Sequence, residues 1–123
     1  MLQASVYVNP ERVTDDLVAD YLGLAEDRPA AVEVVRQIYT NDGGPLPFTA
    51  AAALPDAFPL LVVWGDRDNL APLQYSPVGR FFRARAEKLP ATRFEELASG
   101  HVPQDDAPEV TNRILGDWLA TVN

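Results

Sequence analysis

The sequence predicts an α/β fold in which two parallel strands with flanking helices (residues 55–123) follow a helical N-terminal region (residues 1–54). Three observations carry this. Apolar residues in the first half recur at helical spacing. The run Leu60-Leu61-Val62-Val63-Trp64 is apolar on both faces and rich in β-branched residues, as a strand inside a parallel sheet is. A helical pattern, a second strand pattern and a last amphipathic helix follow that run in order. The length of 123 residues fits one domain.

Each element has a local reason. Thr14 is suited to cap a helix whose first turn carries Asp15 and Asp16, where negative charge complements the helix dipole. Leu17, Val18, Tyr21, Leu22 and Ala25 form its apolar stripe. A second helix opens at Arg28-Pro29, with Val32, Val35, Ile38 and Tyr39 on one face, and stops at Asn41-Asp42-Gly43-Gly44-Pro45. The alanine-rich Phe48–Leu54 suits a short helix. After the strand at Leu60–Trp64, Gly65–Asn69 reads as a turn. Ser76-Pro77 then begins a helix carrying Val78, Phe81, Phe82, Arg85 and Leu89, which Pro90 stops. Phe81-Phe82 suits the buried face of that helix, and Arg80, Arg83 and Arg85 its solvated face. Arg93–Leu97 reads as a strand nearer a sheet edge, Ser99-Gly100-His101 as a turn, and Pro108–Thr121 as a helix with Val110, Ile114, Leu115, Trp118 and Leu119 on one face.

Composition narrows the function. Ten Lys and Arg against eighteen Asp and Glu leave a net charge of −8, which disfavours non-specific binding to nucleic acid. There is no cysteine, so disulfides, thiolate metal sites and a cysteine nucleophile are excluded. One histidine and no cysteine make a dedicated transition-metal site a poor fit. No glycine-rich nucleotide loop is present, and Asp66-Arg67-Asp68-Asn69 lacks the glycine and glutamate that would complete a calcium loop. No cofactor is expected. No apolar run reaches the length of a membrane span, and the first residues lack a signal-peptide pattern. The expectation is a protein of the cytoplasm or an organelle lumen. Tyr7, Tyr21 and Tyr39 are expected to pack in a core.

Strand, helix, strand, helix implies a parallel crossover, and ligands of such sheets sit beyond the carboxyl ends of the strands. The turns at Asp66–Asp68 and Gly100-His101 therefore fall on one edge. Histidine as a residue type titrates near neutrality, which suits general-base work at the position of His101, and such a histidine needs a carboxylate to fix its tautomer. Asp66 and Asp68 are both in place to provide one.

Val62-Val63-Trp64-Gly65-Asp66-Arg67-Asp68, followed by Gly100-His101-Val102-Pro103-Gln104, resembles the C-terminal part of the α/β-hydrolase family. The resemblance covers Pro59 to Asn123, and residues 1–54 are more loosely similar to the helical cap of that family. It implies that Asp68 is the catalytic acid, His101 the base and Asp66 a turn former. Leu70, Leu73 and Val102 would line an apolar acyl pocket for a small ester-like substrate. The family's nucleophile sits on a Gly-x-Ser-x-Gly elbow ahead of the acid and base. Ser5, Ser76 and Ser99 are not flanked that way, and the strands that carry the elbow and the oxyanion turn have no counterpart here.

Two readings follow. In the first, the chain is the acid- and base-bearing portion of an esterase-like hydrolase, completed by an N-terminal half in cis or in trans. In the second, it is a truncated hydrolase tail that serves as a binding or structural module, or has no independent function. A strand apolar on both faces needs two neighbours, so the open edge of Leu60–Trp64 is expected to pair with another chain, self-association included, or to be covered by the N-terminal helices.

Overall fold

The computed structural model describes residues 6–33 and 53–122. The chain divides into two units, one formed by Met1–Arg12 with Leu54–Asn123 and the other by Val13–Ala53. The C-terminal unit thus includes the segment at residues 6–12, which the sequence reading had grouped with the N-terminal helices.

In the smaller unit, helix α1 covers Asp15–Glu26, and the Thr14 hydroxyl accepts from the Leu17 N–H at 3.2 Å. The chain is helical again over residues 28–33. Its cap is Asp27, one residue before the expected opening, whose Oδ1 accepts from the Ala30 N–H at 3.2 Å. Tyr21, Leu22 and Val32 are exposed, which corrects the expectation of a covered stripe. Helical spacing decides which side chains share a face, and not whether another element covers it. The expected helix end at residues 41–45, the stripe residues Val35, Ile38 and Tyr39, and most of the expected helix at 48–54 lie outside the described residues.

The larger unit is built on strands β1 (Leu60–Gly65) and β2 (Thr92–Leu97), joined by helix α2 (Pro77–Lys88). The strands are parallel, in register from Leu60 opposite Thr92 to Gly65 opposite Leu97. This is a small α/β arrangement of helices and a two-stranded parallel sheet. Ser76 caps α2 by accepting from the Gly79 N–H at 3.1 Å, and Pro77 takes the first helical position. Side chains alternate across a strand, so Val62 and Trp64 share a face with Phe94 and Glu96. On that face Trp64 stacks with Phe94 at a centroid distance of 6.4 Å.

Helix α2 covers this face through its arginines. The Arg83 guanidinium lies 5.7 Å from the centre of the Phe94 ring and pairs with Glu96. Arg85 Nε donates to Thr92 Oγ1 at 3.2 Å. Arg80 and Arg83 are exposed, as expected of a solvated face, whereas Arg85 is half-buried with its head engaged on β2. Phe81 and Phe82 are half-buried and meet edge to face at 5.3 Å.

Two helices complete the unit, α3 (Pro103–Asp106) and α4 (Pro108–Leu119). The short α3 had no counterpart in the sequence reading, and α4 ends at Leu119 rather than Thr121. Leu115 and Leu119 are exposed, and α4 has no fully buried residue. Among the described residues no helix is long and apolar enough to cross a membrane.

Burial is concentrated beyond the carboxyl ends of the strands. Among the described residues the buried apolar side chains are Tyr7 and Leu97, whereas the buried polar ones are Asp68, Ser99 and Asp106 at that end and Thr92 at the start of β2. β1 is half-buried along Leu60–Trp64 and is paired along one edge, with no strand on the other edge among the described residues. At its end, backbones cross closely. A Cβ on Gly65 would strike the carbonyl oxygens of Gly100 and Ser99, and one on Gly100 would strike the carbonyl of Val6. Such contacts permit no side chain. Gly65→Ala is therefore expected to lower the unfolding free energy by about 2–4 kcal/mol. Gly116→Ala, where an added Cβ meets nothing within 4 Å, should be neutral or stabilising by up to about 1 kcal/mol. Urea midpoints of the two variants test this contrast.

Candidate active site

The turn after β1 is held to the loop after β2 by backbone bonds. The Asp66 N–H donates to the Leu97 carbonyl at 2.9 Å, and the Arg67 N–H to the Ser99 carbonyl at 3.1 Å. The turn closes on itself through the Asp68 N–H and the Gly65 carbonyl at 3.3 Å. These bonds direct Asp68 inward, and its side chain is 4% exposed.

Every oxygen of the Asp68 carboxylate is engaged. Oδ1 accepts from the backbone N–H groups of Leu70 and Ala71, each at 2.8 Å. Oδ2 lies 2.8 Å from His101 Nδ1. A carboxylate only accepts, so Nδ1 carries the proton of this bond. In the neutral ring, Nε2 then holds a free lone pair. The His101 side chain is 39% exposed, so an imidazole bonded to a buried carboxylate remains open to solvent. Asp66 has a different setting. Its side chain is 45% exposed, 3.9 Å from Arg67 Nε.

The histidine loop has its own support. The Ser99 N–H donates to the Leu97 carbonyl at 2.8 Å, and the His101 N–H to the Val6 carbonyl at 2.7 Å. Behind it lies Asp106, 1% exposed. Its Oδ2 accepts from the Gly100 N–H at 2.7 Å and the Val8 N–H at 3.1 Å, and its Oδ1 from the Asn9 N–H at 2.9 Å. Asn9 Nδ2 returns a bond to the Asp106 carbonyl at 2.8 Å. Burial pushes the Asp106 carboxyl upward, but the amides of Gly100, Asn9 and Val8 outweigh it and hold the group below the ordinary carboxylate range. Nearby, Tyr7 donates to Asp105 at 3.4 Å. Arg12 pairs with Glu109 at 2.7 Å, an exposed pair in which the shared hydrogen bond raises the guanidinium pKa and lowers the carboxyl pKa.

A cavity of about 120 Å³ adjoins the acid and the base, lined by Val63, Trp64, Gly65, Asp68, His101 and Pro103. None of Leu70, Leu73 and Val102 lines it. Leu70 is 59% exposed. Leu73 borders a second, larger and mostly polar cavity that also reaches Asp68, with Asp66, Arg67, Arg83 and Glu96. Val102 is half-buried at the start of α3. Two serines are committed elsewhere. Ser76 caps α2, and the fully buried Ser99 hydroxyl donates to the Gly100 carbonyl at 3.3 Å. Ser5 lies outside the described residues. Among the described residues, no group of three or more His, Asp or Glu side chains is placed to hold a metal ion.

Sequence reasoning missed Asp106 and residues 6–9 as part of this region. The available signal was Asp106 itself, an acid five residues after the only histidine, but it reads equally as a first-turn helix acid.

Comparison of the chain with protein-family models, curated proteins and solved structures found no match.

The acid response of the fold follows from Asp106. Its folded pKa lies below the ordinary value of 3.8, so its contribution to stability is fully present above that value. The contribution is lost as pH falls through the lower folded value. The urea midpoint should hold steady from neutrality to about pH 5 and fall below about pH 4. Asp106→Asn should be less stable at neutral pH by about 2 kcal/mol and show a shallower acid fall. Denaturation curves of both proteins across this range test the sign and the assignment.

Proposed function

We propose that this chain supplies the acid and the base of a Ser-Asp-His-type hydrolytic centre of the α/β-hydrolase kind, acting on a small, apolar, ester-like substrate. The observation that carries the reading is the bond between the buried Asp68 carboxylate and His101 Nδ1, made between the turns that follow two adjacent parallel strands. Two turns on one sheet edge, one giving a fixed carboxylate and the other a solvent-reaching imidazole, form an acid–base pair.

In this reading His101 Nε2 takes the proton of a serine hydroxyl as its oxygen attacks the ester carbonyl. Asp68 holds the ring in the required tautomer and stabilises the imidazolium. His101 then returns the proton to the leaving alkoxide, and a water repeats the cycle to release the acid. The serine and the oxyanion-hole donors come from another segment of the same polypeptide or from a partner chain. Leu70, Leu73 and Val102 stand near the acid and base in sequence and are proposed to meet the acyl group once that segment is in place.

A second reading is a non-catalytic binding or structural module. What favours it is the edge of β1, which has no strand beside it among the described residues, together with the prior commitments of Ser76 and Ser99.

The deciding experiment labels the protein purified from its native source with a serine-reactive fluorophosphonate and measures its intact mass. Label on this polypeptide, or on a stoichiometric partner, supports the hydrolytic reading, and absence of label supports the module. In the assembled enzyme, His101→Ala and Asp68→Ala should each reduce kcat by about 10⁴-fold or more, while Asp66→Ala leaves most of the turnover. Equal losses at Asp66 and Asp68 would overturn the assignment of the acid.

A further inference from the structure

A buried carboxylate that the acid–base pair does not use lies directly behind it. Asp106 is 1% exposed, and its two oxygens receive three backbone N–H groups, from Gly100, Val8 and Asn9. Gly100 immediately precedes His101. Val8 and Asn9 belong to the segment whose Val6 carbonyl accepts the His101 N–H at 2.7 Å. The carboxylate therefore grips the histidine from two sides, through the peptide before it and through the strand of residues that receives its own N–H.

We propose that Asp106 is a positioning residue for His101, binding residues 6–9 and Gly100 into one cradle that sets where the imidazole meets Asp68. The residue type is part of the argument. Three N–H donors converge on two oxygens, which only an ionised carboxylate accepts without conflict. An asparagine has one acceptor oxygen, and its NH₂ would be turned against at least one of the three N–H groups. Gly100 is the other requirement, since a side chain there would occupy the place of the Val6 carbonyl. The charged and titratable groups around the cradle are Arg12 with its partner Glu109, Asp105 with Tyr7, and the Asp68–His101 pair itself.

The catalytic meaning of this inference rests on the acid–base reading above, but its test does not. His101 is the only histidine, so its ring proton on Nδ1 gives a single nuclear magnetic resonance signal in the full chain. In the unaltered protein that signal is expected downfield and slow to exchange. In Asp106→Asn it should vanish or broaden, and the amides of Gly100 and His101 should exchange at least ~10-fold faster. In Asp105→Asn, a neighbouring carboxylate outside the cradle, the ring signal should stay. An unchanged ring signal in folded Asp106→Asn, judged by intact β1 and β2 amide resonances, overturns the proposal. Should that variant not fold, Asp106→Glu carries the test. It keeps the charge but moves the carboxylate by one methylene away from the Gly100, Val8 and Asn9 N–H groups, and an unchanged ring signal with unchanged Gly100 and His101 exchange overturns the proposal there. Loss of turnover in an assembled enzyme plays no part in these readouts, so failure of the hydrolytic reading and failure of the cradle are separable.

Discussion

The C-terminal unit depends on one buried negative charge. Asp106 gathers amides from residues 8, 9 and 100, and without a full set of partners a buried carboxylate is costly. The charge is compensated by peptide dipoles rather than by an ion pair, so the arrangement is demanding in geometry and undemanding in side chains. What it assembles is backbone. The loop after β2, the turn after β1 and the segment at residues 6–9 pass within hydrogen-bonding reach of one another, and Gly65 and Gly100 let them do so. The bonded Asp68 and His101 sit at that crossing.

Much of the larger unit was legible in the sequence, because its signals are local. A β-branched apolar run, a Ser-Pro helix start and a proline stop mark β1 and α2 within a residue or two. The closeness of Asp68 and His101 was legible for a topological reason, since parallel strands joined by one helix place their following turns on one edge. Asp106 was not legible in the same way. Its partners are main-chain N–H groups, which every residue but proline has, and two of them lie almost the whole chain away. Nothing in the side chains of Val8 and Asn9 marks them as its donors. The solvated face expected of Arg83 is observed, but its place over the Phe94 ring and the bond from Arg85 to Thr92 were not legible, because charge alone does not say which neighbour a long side chain reaches.

The exposure pattern separates two kinds of cohesion. The segment before β1 and helix α4 leave sizeable apolar groups exposed, among them Phe58, Leu115 and Leu119. The site region, in contrast, holds the deeply buried Asp68, Ser99 and Asp106 behind a solvent-reaching His101, and what buries them is joined by polar bonds. The indole N–H of Trp64 marks the boundary, being buried with no acceptor among the described residues. Apolar burial is strong in sum and tolerant in detail, whereas charge-assisted hydrogen bonds are directional. A site held by the second kind stays registered even where the surrounding packing is loose.

The bond from the Val8 N–H to Asp106 spans 98 positions of sequence, which has a consequence for the order of events during synthesis. Residues 6–9 are made well before their acceptor Asp106. Both strands can form in the meantime, but the histidine loop cannot be seated until the chain has come back to residues 6–9. Closing so long a loop is entropically expensive, though only slowly more so with length. The histidine loop therefore has its full set of hydrogen bonds only once Asp106 and residues 6–9 are together.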